Sequence, residues 1–163
     1  MNTEGRLRVV FMGTPDFAVP VLEALLEAGH DLAGVYTRPD RPSGRGRRVV
    51  APEVKRFAMD RRLPVLQPTS LRRDRDARGR LSALVPDVIV VAAYGLFLPQ
   101  QTLELPRLGC LNVHPSLLPR HRGASPVATA ILEGDAVTGV TIMQLDEGMD
   151  SGPVLAQIET PIG

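Results

Sequence analysis

Short apolar runs alternate along the chain with amphipathic stretches, a pattern that predicts strands interleaved with helices. Residues 6–13, Arg-Leu-Arg-Val-Val-Phe-Met-Gly, read as a buried first strand closed by a glycine. After a Thr14-Pro15-Asp16 turn, Val19, Val21, Leu22, Leu25 and Leu26 recur at helical spacing. Pro20 falls in the tolerant first turn of that helix and Gly29 at its C-cap. Residues 32–37 predict a second strand, 38–48 a loop rich in Pro, Gly and Arg, 52–62 a short helix and 64–66 a third strand. Residues 70–84 form a charged helical stretch. The uninterrupted apolar run within residues 87–94 has the signature of a central strand covered on both faces. Residues 110–114, 139–145 and 153–158 predict further strands, with a helix over 127–132.

Strands alternating with helices imply right-handed crossovers and a Rossmann-like α/β architecture: a mainly parallel sheet with helices on both faces. Ligands of such sheets bind beyond the carboxyl ends of the strands. The pattern stops at Glu159-Thr160-Pro161-Ile162-Gly163, a strand without a closing helix, so the fold is expected to be incomplete at its C-terminus.

Composition narrows the class. A chain of 163 residues, 44% hydrophobic and 23% charged, fits one globular domain rather than a disordered segment. It contains no run of 18 uncharged apolar residues, and its first six residues lack the layout of a secretory signal. Cys110 is the sole cysteine, which excludes an internal disulfide and a Cys-rich zinc site. A reducing cytoplasmic location is expected.

The net charge of +1 conceals a strong asymmetry. Residues 38–80 hold 14 basic and 5 acidic side chains, and the rest of the chain holds 5 and 13. Of the 19 basic residues 18 are arginine, whose planar fork matches phosphate oxygens in pairs. A GC-rich genome accounts for Arg over Lys but not for the clustering. Arg38, Arg41, Arg45, Arg47 and Arg48 face only Asp40 in charge across the loop, which makes that loop a candidate polyanion-binding segment.

Several familiar chemistries lose ground. Gly44-Arg45-Gly46 lacks the third glycine of a dinucleotide fingerprint, and no GxxxxGK[ST] phosphate loop occurs. Gly123-Ala124-Ser125-Pro126-Val127 lacks the second glycine of a nucleophile elbow, and His30, His114 and His121 form no HExxH pair.

What remains is Asn112-Val113-His114-Pro115-Ser116-Leu117-Leu118-Pro119. Two apart on a strand, Asn112 and His114 share a face, and Pro115 ends the strand directly after the imidazole. Either residue alone reads best as a satisfied structural group; side by side at a strand terminus they read as a site. Downstream, Asp146, Glu147 and Asp150 crowd a glycine-bracketed loop, where a histidine partner for one acid would relieve the repulsion. Spacing alone does not choose among the three.

Gly13-Thr14-Pro15-Asp16-Phe17-Ala18-Val19-Pro20, the loop Pro39-Asp40-Arg41-Pro42-Ser43-Gly44-Arg45-Gly46, residues 112–119 and residues 146–152 together resemble the folate-dependent formyltransferases. The last two motifs are shared with glycinamide ribonucleotide transformylase, whereas the first two resemble the methionyl-tRNA formyltransferase branch. The resemblance runs in order from about residue 6 to residue 163. His121 departs from it, standing where an aromatic residue is usual. The family's catalytic domain also continues for a few more elements, followed by a β-barrel domain that helps hold tRNA.

The resemblance implies transfer of a formyl group from 10-formyltetrahydrofolate to the amino group of methionine on initiator methionyl-tRNA. It implies Asn112, His114 and Asp150 as catalytic residues, with no metal. Tyr94, Gly95, Leu96, Phe97 and Leu98, with Ser116, Leu117, Leu118 and Pro119, are implied to line the folate site. Residues 6–163 would then be a truncated catalytic domain. The intact protein is expected to be a monomer, with folate and initiator methionyl-tRNA as partners and neither membrane nor DNA. The competing readings are a formyltransferase acting on a small amine, an inactive remnant that retains folate or RNA binding, and another nucleotide-binding α/β protein.

Overall fold

The computed structural model describes residues 5–43 and 48–163. A seven-stranded sheet runs through the molecule, built from β1 (Arg8–Gly13), β2 (Asp31–Tyr36), β5 (Val65–Leu66), β6 (Val88–Ala92), β7 (Cys110–His114), β8 (Val137–Gln144) and β9 (Val154–Pro161). β3 (Arg41–Ser43) and β4 (Arg48–Val50) form a separate antiparallel ribbon. The order across the main sheet is β5-β2-β1-β6-β7-β8-β9. The first five strands in that order are parallel, and β8 and β9 join antiparallel. The chain therefore reverses direction of travel across the sheet between β1 and β6, where such folds open a crevice at the strand ends.

Helices α1 (Val19–Glu27), α2 (Glu53–Asp60), α3 (Arg75–Ala83), α4 (Gln100–Leu103) and α5 (Pro126–Leu132) fill the connections. Alternation along β1 splits the core into two layers. Val9 and Phe11 pack with Leu22 of α1 and Val54 and Ala58 of α2. Val10 and Met12 pack on the opposite face with Leu71, and with Ala77 and Leu81 of α3. β6 is buried at every position, as its unbroken apolar run requires of a central strand. Cys110 is buried too, and burial pushes its thiol up to about 12.

Three local features depart from the sequence reading. Residues 41–43 and 48–50 pair as a ribbon instead of forming a plain loop, since Val49 and Val50 favour extended backbone. Asp16–Ala18 forms a 3-10 turn leading into α1, and Gln100–Leu103 forms a single-turn helix too short to show a period. The antiparallel edge leaves β9 exposed along its whole length, including Val154, Leu155 and Ile158.

Candidate active site

Parallel strands bring their carboxyl ends to one edge, and three of those ends are tied together there. Thr14, directly after β1, donates its hydroxyl to the Tyr94 carbonyl beyond β6 (2.8 Å). The same oxygen accepts the backbone N–H of Arg38 beyond β2 (3.4 Å). Beside this tie lies a cavity of about 570 Å³, within the range of sites that hold a small organic molecule. Tyr94, Gly95, Leu96, Phe97 and Leu98 line one side, and Asn112, His114 and Asp150 line another.

His114 and Asp150 are both largely buried, and their facing atoms, Nδ1 and Oδ2, are 3.7 Å apart. That distance suits an ion pair and is too long for a hydrogen bond. Asp150 Oδ2 also accepts the backbone N–H of Gly123 at 2.7 Å. His114 Nε2 meets the His121 carbonyl at 3.0 Å; a carbonyl only accepts, so Nε2 is the donor. Three residues with left-handed backbone surround the imidazole: His121 (φ 54°), Gly123 (φ 93°) and Asp150 (φ 49°). Only glycine adopts that region freely, and strain of this kind gathers where a fold must aim particular groups.

Asn112 pairs with Val91 on one side and Met143 on the other, which fixes its strand position. No hydrogen bond occupies its side-chain amide among the described residues. Tyr94 has a buried hydroxyl without a partner among the described residues, and burial pushes its pKa up.

Asp146 is a different kind of acid. It accepts the Gly148 N–H and the Ser151 hydroxyl, both at 2.9 Å, which shapes the loop carrying Asp150. Glu147 lines the cavity without an ion-pair partner among the described residues. Of the three acids, Asp150 is the one that faces His114.

Residues 116–119 sit elsewhere. Ser116 and Leu118 are buried, and none of Ser116, Leu117, Leu118 and Pro119 lines the cavity. They pack against β8 and β9. The Thr141 hydroxyl donates to Ser116 O (2.7 Å) and accepts from Leu118 N (3.1 Å), and Gln157 donates to Leu118 O (2.8 Å). Leu117 fits because residue 139 is glycine; a β-carbon there would collide with the Leu117 side chain and the Ile158 carbonyl. In this geometry the four residues hold the end of β7, and with it His114, in place.

Of the five loop arginines, Arg38 lies against Gly95, where a β-carbon would stand only 3.1 Å from its Nη1. Its buried Nε has no partner among the described residues. Arg41 is exposed on β3, and Arg48 begins β4. Arg45 and Arg47 lie outside the described residues. Lys55 and Gln67 both hold the Asp40 carboxylate at 2.7 Å, and together they lower its pKa, Gln67 most.

The sequence reading passed over Gly123, whose N–H holds Asp150, and the His121 carbonyl, which holds His114. A glycine two residues after a histidine, beyond a proline-rich turn, carries no legible signal for either task.

Amide, imidazole and carboxylate thus share one apolar cavity at the strand ends of a Rossmann-like sheet, an arrangement fit for group transfer without an enzyme nucleophile. The chain belongs to the formyl transferase family, whose model matches residues 7–163. It is 56% identical over 156 residues to the methionyl-tRNA formyltransferase of Marinobacter nauticus. That match covers 96% of this chain and 50% of the relative, so the chain spans about half the length of the curated relatives it matches. Among solved structures it superposes on phosphoribosylglycinamide formyltransferase from Bacillus halodurans with a TM-score of 0.77, at 25% identity, covering 96% of this chain and 80% of that one. It shares its fold with WlaRD, a sugar 3N-formyl transferase determined in the presence of dTDP and 5-N-formyl-THF (TM-score 0.65, 18% identity, 96% and 52% covered).

Proposed function

We propose that the chain carries the catalytic machinery that moves a formyl group from 10-formyltetrahydrofolate to the methionine amino group of initiator methionyl-tRNA. The observation that carries the reading is the convergence of Asn112, His114 and Asp150 on one cavity. The family supports formyl transfer, and the methionyl-tRNA formyltransferases with which the chain shares over half its residues support the acceptor. The 5-N-formyl-THF in whose presence WlaRD was determined supports a tetrahydrofolate donor as the second substrate. Leu96, Phe97, Leu98, Leu103 and Leu145 give the cavity an apolar wall against which a pterin ring can pack.

Attack of an amine on a formyl carbon builds negative charge on the formyl oxygen. Asn112 offers an unoccupied amide N–H to that oxygen, and a donor so placed is worth about 3 kcal/mol of barrier. The attacking nitrogen must lose a proton and the leaving folate nitrogen must gain one. His114 Nδ1 exchanges that proton, since Nε2 is committed to the His121 carbonyl. Asp150, fixed by Gly123, stabilises the imidazolium that forms. Arg38 follows β2 at the same edge, and Arg41 is exposed three residues further on; the two are suited to phosphates of an incoming tRNA.

The fold likeness to an enzyme of phosphoribosylglycinamide favours one alternative, a small amine as acceptor. The purified chain, given 10-formyltetrahydrofolate with charged initiator tRNA or with glycinamide ribonucleotide, decides between them. The proposal expects formyl-methionine on the tRNA; formylation of the small amine alone would overturn it.

A further inference from the structure

His121 does not line the cavity, yet its carbonyl holds the imidazole that does. With the proton on Nε2 committed to that carbonyl, Nδ1 is left as the ring atom that gains and loses one, 3.7 Å from Asp150. Where the carbonyl points depends on the backbone at residue 121. That backbone is left-handed, a conformation that a residue with a β-carbon keeps only when its surroundings hold it.

The hold comes from the His121 side chain. Its ring is nearly buried, with Nε2 2.6 Å from Asp135 Oδ2. Arg120 Nη2 binds the other Asp135 oxygen at 2.7 Å. Glu133 Oε2 stands 3.8 Å from His121 Nδ1 and 3.9 Å from Arg120 Nη2. Asp135 is itself anchored beyond α5, where its N–H donates to Ala130 O at 3.0 Å. Although His121, Glu133 and Asp135 offer metal-type ligand atoms, His121 and Arg120 between them already hold both oxygens of Asp135, so the cluster reads as a clasp between the turn after β7 and the turn before β8.

We infer that His121 and Asp135 are positioning residues: their side-chain bond locks the turn whose carbonyl sets His114 with its proton on Nε2 and Nδ1 toward Asp150. The kinetic part of this inference rests on the formyl-transfer reading, whereas the spectroscopic part does not.

The test is nitrogen-15 spectroscopy of the histidine rings in the 163-residue chain, in wild type, Asp135→Ala and His121→Asn. Asparagine tolerates a left-handed backbone, so the second variant can fold even if the first does not, while losing the side-chain clasp that pins the turn. The His30 ring, which accepts the Leu7 N–H far from the clasp, serves as the internal control for folding. Both ring nitrogens of His114 should move away from the pure Nε2–H signature in each folded variant while those of His30 stay fixed. The formyl-transfer kcat should fall roughly tenfold or more, as when an orienting partner of a catalytic histidine is lost, with KM for both substrates nearly constant. Unchanged His114 signals, or an unchanged kcat despite altered signals, would overturn the inference. Altered signals in a wild-type background that transfers no formyl group would instead overturn the formyl-transfer reading and leave the clasp standing.

Discussion

Asp150 faces His114 through a single carboxylate oxygen, Oδ2, the same atom that accepts the Gly123 N–H. The backbone of one loop therefore aims the acid of another at the imidazole. Alanine at position 123 has space, since its β-carbon would meet only Met149 Sδ at 3.6 Å, but its backbone would be forced into the left-handed region. Gly123→Ala should cost about 1–2 kcal/mol of stability and lower kcat roughly tenfold. Thermal melting and steady-state kinetics on the same preparation check both parts.

Three carboxylates should govern acid stability. The pKa of Asp87 is lowered, first by the Arg8 backbone N–H and then by Arg107. That of Asp135 is lowered by His121 and then Arg120, and that of Asp40 by Gln67 and then Lys55. A carboxylate whose folded pKa is depressed stabilises the fold above its unfolded value, about 3.9, and loses that contribution as pH falls through the folded value. The melting temperature should therefore drop below about pH 4, and Asp87→Asn should flatten that fall. A variant with the same acid limb as wild type would contradict the assignment.

Cys110 should resist modification. Its Sγ points at the Thr102 and Leu103 carbonyls (3.6 and 3.7 Å) inside the core. Since the thiolate is the reactive form, native protein should react with iodoacetamide far more slowly than protein unfolded in denaturant. Equal rates would mean that β7 opens readily.

Much of this architecture was legible because periodicity is strong where burial is strong. The β6 run and the helical spacing of Val19 to Leu26 marked their elements within a residue or two, and Asn112 with His114 marked the site because two polar groups at a buried strand's end need a use. What stayed hidden depends on distance in space. Asp150 could not be separated from Asp146 and Glu147 by spacing, since the difference lies in which acid meets His114 across the sheet edge. Residues 38–48 read as a loop because Pro42 and the arginines masked the pairing of Arg41–Ser43 with Arg48–Val50. His121 acts partly through its carbonyl, which every residue possesses.

β9 is an edge strand with Val154, Leu155 and Ile158 on show. Edges of that kind invite pairing between copies unless charged. The 163-residue chain should self-associate as its concentration rises, and Ile158→Lys should reduce this in sedimentation or light scattering. Identical association by the variant would place the contact elsewhere.

For the loop arginines, Arg41→Ala should raise KM for charged tRNA while leaving that for the folate near wild type. It should also reduce the salt slope of tRNA binding by about one unit. No change in either would remove Arg41 from the RNA path.

The central claim is that Asn112, His114 and Asp150 perform formyl transfer, and the single-turnover rate of His114→Ala tests it most directly. With 10-formyltetrahydrofolate and charged initiator tRNA both saturating, the variant should bind folate as wild type does and transfer formyl at least about a hundredfold more slowly. A rate close to wild type would contradict the account.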